Sequence, residues 1–289
     1  MSLVAGGGAL SNMRLRGIAW MIAANIAFTI LDTLAKVLGG TIDPMQVAWF
    51  RYATNLVLIL FALRAWGRPY LFDTSKPLLQ FVRGLCLLGS TVFNFVALRY
   101  LQLAEVAAIA FAGPLVITAL AGPMLGEKIG WRRWAAVGVG FVGMLVVIRP
   151  GTGAMHWAVL FSIGSVTCYA FYVILTRHLG RTETAEGLAL HGAVVGTVAL
   201  MPLLPPVWET PTSGWIWLAL GATGFLGGLG HFMLIQAYKR APATVIAPFT
   251  YMQIIWMVIA GYVVFGDTPD MWTLYGAGII ILSGLYVLH

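Results

Sequence analysis

ALRYLQLAEVAAIAFAGPLVITALAGPMLGEKIGWRRWAAVGVGFVGMLVVIR, Ala97 to Arg149, is the stretch that decides the architecture. It holds two long apolar runs, a Pro within the first, and the turn GEKIGWRR between them. Laid without a gap so that Ala97 falls on Ala237, it meets a second copy of the design. That copy is AYKRAPATVIAPFTYMQIIWMVIAGYVVFGDTPDMWTLYGAGIIILSGLYVLH, Ala237 to His289. Six positions are identical, among them Ala97/Ala237, Gly126/Gly266 and Gly138/Gly278, and Glu127 matches Asp267. Six identities alone prove no duplication. The shared order of run, Pro, run, Gly-acid and run is the better sign, and a repeat governs every later inference about the fold.

Working outward, 60% of the 289 residues are apolar and only 9% are charged, against roughly 25% charged in a soluble domain. Such a chain cannot clothe a water-facing surface, so lipid must cover most of it. Its 34 glycines suit close helix packing in a bilayer. The net charge of +7 fits an excess of Lys and Arg in cytoplasmic loops. The basic loops lack the interleaved aromatics that stack bases, so nucleic acid is not an expected partner. Cys86 and Cys168 both lie in apolar runs, where neither a disulfide framework nor a metal site is expected. Residues 1–16 lack the build of a secretory signal and read as a short mobile cytoplasmic tail.

A span needs about 20 mostly apolar residues. Candidates fall near 17–38, 44–65, 77–98, 104–125, 131–149, 156–177, 185–204, 214–236, 243–265 and 270–288. The sequence therefore predicts an all-α membrane protein of ten transmembrane helices, with no soluble domain. With the N-terminus inside, twelve of the seventeen Lys and Arg residues fall in cytoplasmic segments, which puts both termini in the cytoplasm. Five spans per half is an odd number, so the second half must be inverted. GEKIGWRR is basic and inside; its partner GDTPDMW has no basic residue and lies outside. Residues 17–149 and 150–289 are then two inverted five-helix repeats, the plan of many secondary transporters, whose substrate site lies near mid-membrane between the halves.

These two motifs, one per half, resemble the EamA-type exporters of the drug/metabolite transporter superfamily. Gln102 stands where the first-half motif often has Pro; the second half keeps Pro242. The resemblance implies a cavity formed by spans 1, 3, 4, 6, 8 and 9, with spans 5 and 10 outside. It also implies the export of amino acids, other metabolites or cationic drugs across the inner membrane.

Polar side chains are costly in a bilayer unless they meet partners or water, and helix positions 3, 4 and 7 apart share a face. Span 1 carries Asn25, Thr29, Asp32 and Lys36 on one stripe. Span 3 carries Arg83, Ser90 and Asn94. Span 6 carries Ser162, Ser165, Tyr169, Tyr172 and Thr176. Span 8 offers Gly224, Gly228 and His231, and span 9 offers Thr244 and Tyr251. The candidate cavity set is Asn25, Thr29, Asp32, Ser90, Asn94, Ser165, Tyr169, Tyr172, His231 and Tyr251. The bland alternatives are back-bonded hydroxyls and helix-gluing amides. Asp32 reads either as a cavity carboxylate able to hold an ammonium or a coupling proton, or as the i, i+4 partner of Lys36 with Arg51 nearby. His231 reads as a proton carrier or a bonded core residue. Arg83 reads as a carboxylate holder or a snorkelling side chain. Pro114 and Pro248 interrupt spans 4 and 9 as hinges, though they do not align at the offset of the repeat.

GVGFVG (138–143) matches a dinucleotide fingerprint but lies mid-span, without the strand and the helix start that the motif needs. No catalytic cluster is evident, and no cofactor or metal is expected. The reading is a non-enzymatic secondary transporter, a monomer in the lipid bilayer, exporting small metabolites by alternating access. Amino acids, neutral or aromatic, are the first expectation for the cargo. A carrier of anionic or nucleotide-linked metabolites would need two uncompensated basic groups in the cavity, a cationic-drug pump more free acids than Asp32. A passive channel is the reading from another class.

Overall fold

Helix boundaries follow from capping chemistry in the sequence. Pro44 opens a helix behind Asp43, whose carboxylate accepts from the Met45 N–H at 2.8 Å. Thr184 caps another through the Gly187 N–H at 3.1 Å. Gln102, the departure from the family motif, begins a helix by a capping box in which Glu105 accepts from the Gln102 N–H at 3.0 Å. Such caps satisfy donors that would otherwise stay orphaned in lipid.

The structure is a computed structural model in which residues 3–64, 67–125, 130–151, 155–241 and 243–287 are described. Gly126, Glu127, Lys128 and Ile129 of the GEKIGWRR turn, and Pro242, lie outside them. The helices are α1 (Leu3–Leu38), α2 (Pro44–Leu63), α3 (Pro77–Tyr100), α4 (Leu103–Ala110), α5 (Gly113–Leu125) and α6 (Trp131–Ile148). They continue with α7 (Val159–Leu179), α8 (Ala185–Leu200), α9 (Gly214–Arg240), α10 (Ala243–Thr250), α11 (Gln253–Ala260) and α12 (Met271–Val287). Among the described residues there is no strand. Among the described residues seven helical stretches, one of them α4 and α5 together, are long and apolar enough to cross a membrane, and shorter apolar helices accompany them. The described part of the stretch expected as a tail over 1–16 is helical and continuous with the first span. α1 runs on from Leu3, because a helix once nucleated extends at one hydrogen bond per residue.

The repeat is written into the backbone. At the offset that lays Ala97 on Ala237, α4 coincides with α10 end for end, and the start of α5 falls on the start of α11. The break between α4 and α5 at Phe111–Ala112 recurs between α10 and α11 at Tyr251–Met252. Each break carries the same tightened bond, Ala112 N–H to Ile109 O at 3.0 Å and Met252 N–H to Phe249 O at 3.2 Å. Pro114 follows the first break closely and Pro248 precedes the second, so the unaligned prolines flank aligned breaks. A Pro near a helix start costs no bond, whereas one inside frees a carbonyl.

Packing follows the same repeat with the halves exchanged. α1 packs on α9, and its equivalent α7 packs on α3; α2 packs on α8 and α9, and α8 on α3; α6 packs on α12. At the last contact Gly276 meets the Gly143 carbonyl, where a Cβ would stand 2.6 Å from that oxygen. Gly140 and Gly143 of the dinucleotide-like motif thus serve helix contact. Lys36, near the end of α1, bonds the Leu101 carbonyl at 2.5 Å, beside the end of α3. The end of α7 lies instead by the start of α3, where His178 and Lys76 approach to 3.5 Å. α1 and α7 therefore run in opposite directions. One face of the bundle gathers Asp43, Glu209, Asp267 and Asp270 and is called the acidic face. The other gathers Arg64, Lys76, Arg177, Arg181, Lys239 and Arg240 and is the basic face.

Candidate transport cavity

On α2, Arg51 and Asn55 are one turn apart, and α9 meets this face with Gly224, Gly227 and Gly228. A Cβ on Gly224 would lie 2.7 Å from the Arg51 carbonyl, so the close approach requires glycine there. The room so made is a cavity of about 380 Å³ in the half of the bundle nearer the basic face. Arg51, Tyr52 and Asn55 of α2, Arg83 of α3 and Tyr172 of α7 form its polar wall. His231 of α9 joins them, with Phe232 as an apolar neighbour, and α8 closes the remaining side. Spans 2 and 7 thus belong to the wall, where the resemblance placed spans 1, 4 and 9.

Arg51 donates to Thr91 Oγ1 at 2.5 Å, and its guanidinium lies 5.6 and 5.8 Å from the Tyr52 and Phe95 ring centroids. The Tyr52 hydroxyl shares a 2.8 Å hydrogen bond with the same Thr91. Behind this wall Asn94 donates to Asp32 at 3.2 Å. Arg51 stands within electrostatic reach of both Asp32 and His231. The i, i+4 pair of Asp32 with Lys36 does not form: Lys36 reaches Asp267 at 3.4 Å. The sequence spacing permitted the pair, but the turn before α12 supplies Lys36 with a carboxylate at the membrane edge. Arg83 does not snorkel; it is buried with 1% of its surface exposed.

Of the ten candidate residues, Tyr172 and His231 line this cavity. His231 stands edge-on to Phe28, ring centroids 5.2 Å apart. Asp32 and Asn94 form the bonded pair behind Arg51. Asn25 is buried and donates to the Phe249 carbonyl at 2.7 Å, at the α10–α11 break. Thr29 is buried and its hydroxyl has no partner among the described residues. Ser165 donates to the Ser90 carbonyl at 2.8 Å, clamping α7 to α3. Tyr169 stands beside Tyr172, centroids 6.0 Å apart. Tyr251 is buried against Phe111 at 5.1 Å, so the two equivalent break residues meet each other. Arg51 and Asn55 were missed. Their i, i+4 spacing in an apolar run was the available signal; Arg51 was read only as a neighbour of Asp32, and span 2 was not among the spans that the resemblance placed around the cavity.

The two faces are held by different chemistry. At the acidic face Lys36 pairs with Asp267, Arg149 with Asp270, and the Gln46 amide exchanges two 2.8 Å bonds with the backbone of Glu209. At the basic face Glu183 Oε1 accepts from Thr74 at 3.0 Å and from the Ser75 N–H and hydroxyl at 3.1 and 2.9 Å. Against a desolvation that works the other way, the bonds from Ser75 and Thr74 hold the Glu183 carboxyl below its ordinary range. Asp270 is likewise lowered: desolvation opposes, but bonds from Thr273 and the Arg149 charge outweigh it. Apart from the local bond between Asp270 and Thr273, these contacts join one half of the chain to the other.

Residues 15–149 and 156–288 each match the EamA-like transporter family. The chain belongs to that family. This EamA-like transporter is 30% identical over 276 residues to an S-adenosylmethionine uptake transporter of Rickettsia felis, covering 95% of this chain and 93% of that one. It is 26% identical to a riboflavin transporter of Vibrio cholerae, covering 94% and 93%. It is 24% identical to a pseudopaline exporter of Pseudomonas aeruginosa, covering 92% and 94%. A solved crystal structure superposes with a TM-score of 0.57 over 96% of both chains at 17% identity, a likeness of fold alone. These relatives are named for larger cargo than free amino acids, and the expectation of amino acids gains no support from them.

Proposed function

We propose that this transporter carries S-adenosylmethionine, or a metabolite of the same make-up, across the inner membrane by alternating access. In this reading the chain forms ten spans in two inverted repeats, residues 17–149 and 150–289, with the basic face in the cytoplasm. The observation that carries the proposal is the cavity. Both halves build it, and its volume of about 380 Å³ falls in the ~300–1,000 Å³ range of sites for drug-sized ligands. Its wall combines guanidinium groups, the flat rings of Tyr172, His231 and Phe232, and a carboxylate at one remove. S-Adenosylmethionine presents a carboxylate, cationic groups and an aromatic base, one for each. The anionic-carrier alternative required two uncompensated basic groups in the cavity; Arg51 and Arg83 both line it, but Arg51 faces Asp32, which leaves Arg83 as the guanidinium without a carboxylate partner. That favours a carboxylate-bearing cargo over a neutral or purely cationic one. The halves rock about the Phe111–Tyr251 contact, and the bonds at each face break in turn.

Transport of labelled S-adenosylmethionine into proteoliposomes tests this, with riboflavin and a set of amino acids as comparators. Saturable S-adenosylmethionine flux, accelerated by unlabelled cargo on the far side, is the expected result; no flux, or flux that never saturates, overturns it. A cysteine at Thr268 should react only with reagent outside the cell and one at Arg181 only from the cytoplasm. The reverse pattern overturns the orientation.

A further inference from the structure

Arg83 lies on α3 less than two turns from Pro77, and it borders the cavity although only 1% of its surface is exposed. Its Nε donates to Gln80 Oε1 at 3.2 Å, Nη1 to Thr176 Oγ1 at 3.4 Å and Nη2 to the Leu188 carbonyl. The Tyr172 ring centroid is 5.3 Å from Cζ. Every one of these partners is neutral. Among the described residues no carboxylate forms an ion pair with Arg83. Beside it the Nε2 of Gln80, in a side chain 1% exposed, has no acceptor among the described residues. The Gln80 oxygen is committed to Arg83, so turning the amide over would set N–H against N–H.

A buried charge without a counter-ion is costly, the more so within a bilayer. An unused donor on Gln80 next to the unbalanced positive charge of Arg83 at the cavity wall describes what is missing there, a pair of anionic oxygens. Planar guanidinium donors suit a carboxylate, which can take two parallel bonds. Arg51 is the other guanidinium on the wall, but it faces Asp32 and is balanced by it. We propose that Arg83, with Gln80 beside it, is the subsite that takes the carboxylate of the transported metabolite. This rests on the transporter reading above and extends it to one group of the cargo.

The test measures binding to the purified full-length protein of two ligand pairs: S-adenosylmethionine with its decarboxylated form, and methionine with the corresponding amine. The wild type should prefer the acid of at least one pair on the order of tenfold to a hundredfold, the effect of charge-assisted hydrogen bonds. Arg83→Gln should abolish the preference by weakening the acid alone, and Arg83→Lys should keep part of it. Equal weakening of acid and decarboxylated ligand in Arg83→Gln would mean a structural role and overturn the subsite. So would a wild type that prefers neither acid. If only the methionine pair behaves as expected, the S-adenosylmethionine reading falls and the subsite stands.

Discussion

Asn25 shows how one amide can serve a broken helix. At the turn Tyr251–Met252 the Phe249 carbonyl takes a 3.2 Å bond from the Met252 N–H, and Asn25 supplies a further donor at 2.7 Å from a buried position on α1. Asn25→Leu should lower stability by about 0.6–2 kcal/mol, read as a lower midpoint of thermal unfolding in detergent; an unchanged midpoint would remove this role. At this scale the sequence was partly legible. Helical phase found Asn25, Asp32 and Asn94 as inward-facing polar groups, because a period of 3.6 needs no knowledge of neighbours. It could not say which of them meet, since partners such as Phe249 lie in the other half of the chain. Lys36 is the clearest case: its carboxylate is Asp267, not the acid one turn before it.

The paired breaks belong to the scale of the element. Two prolines were visible in the sequence, but the site of each break was not. What defines a break is the matched i→i−3 bond at Ala112 and Met252, formed where the helix gives way near a Pro rather than at it. Phe111 and Tyr251 sit at these points and touch with centroids 5.1 Å apart and planes at 79°. A double-mutant cycle with Phe111→Leu and Tyr251→Leu should report a coupling of about 0.5–1.5 kcal/mol, typical of edge-to-face aromatic pairs. Additive effects on chemical unfolding would mean that the rings are merely adjacent. The ends of α3 and α9, at Tyr100 and Arg240, match at the repeat offset as well as the breaks do. Order of runs and punctuation therefore forecast the elements better than residue identity did.

At the scale of the molecule, the two faces are closed by different bonds, and under the alternating-access proposal the closures compete. A cysteine at Ala189, on the cavity wall at the start of α8, reports the basic side. Its labelling should speed up in Glu183→Ala, which frees the loops bearing Thr74 and Ser75. It should slow in Lys36→Met, which favours opening at the acidic face; the same change in both variants would deny that the closures compete. The Glu183 carboxyl is held below its ordinary value of 4.5. Its contribution is therefore complete above that value and lost only as pH falls through the lower folded value. Labelling at Ala189 should not vary between pH 6 and 8 on account of Glu183, and should rise only below about pH 4.5. Which loops close on which was not legible in the sequence, because it follows from how the halves interlock. That interlock also bears on how the protein is made. α1 leaves the ribosome first and ends at Leu38, yet α9, against which it packs, begins only at Gly214. At ~5–20 residues per second, α1 waits on the order of ten to thirty seconds in the membrane with the buried Asn25 unpartnered, although Asp32 meets Arg51 and Asn94 much sooner. The insertion machinery, rather than the finished bundle, must shelter this helix for most of the protein's synthesis.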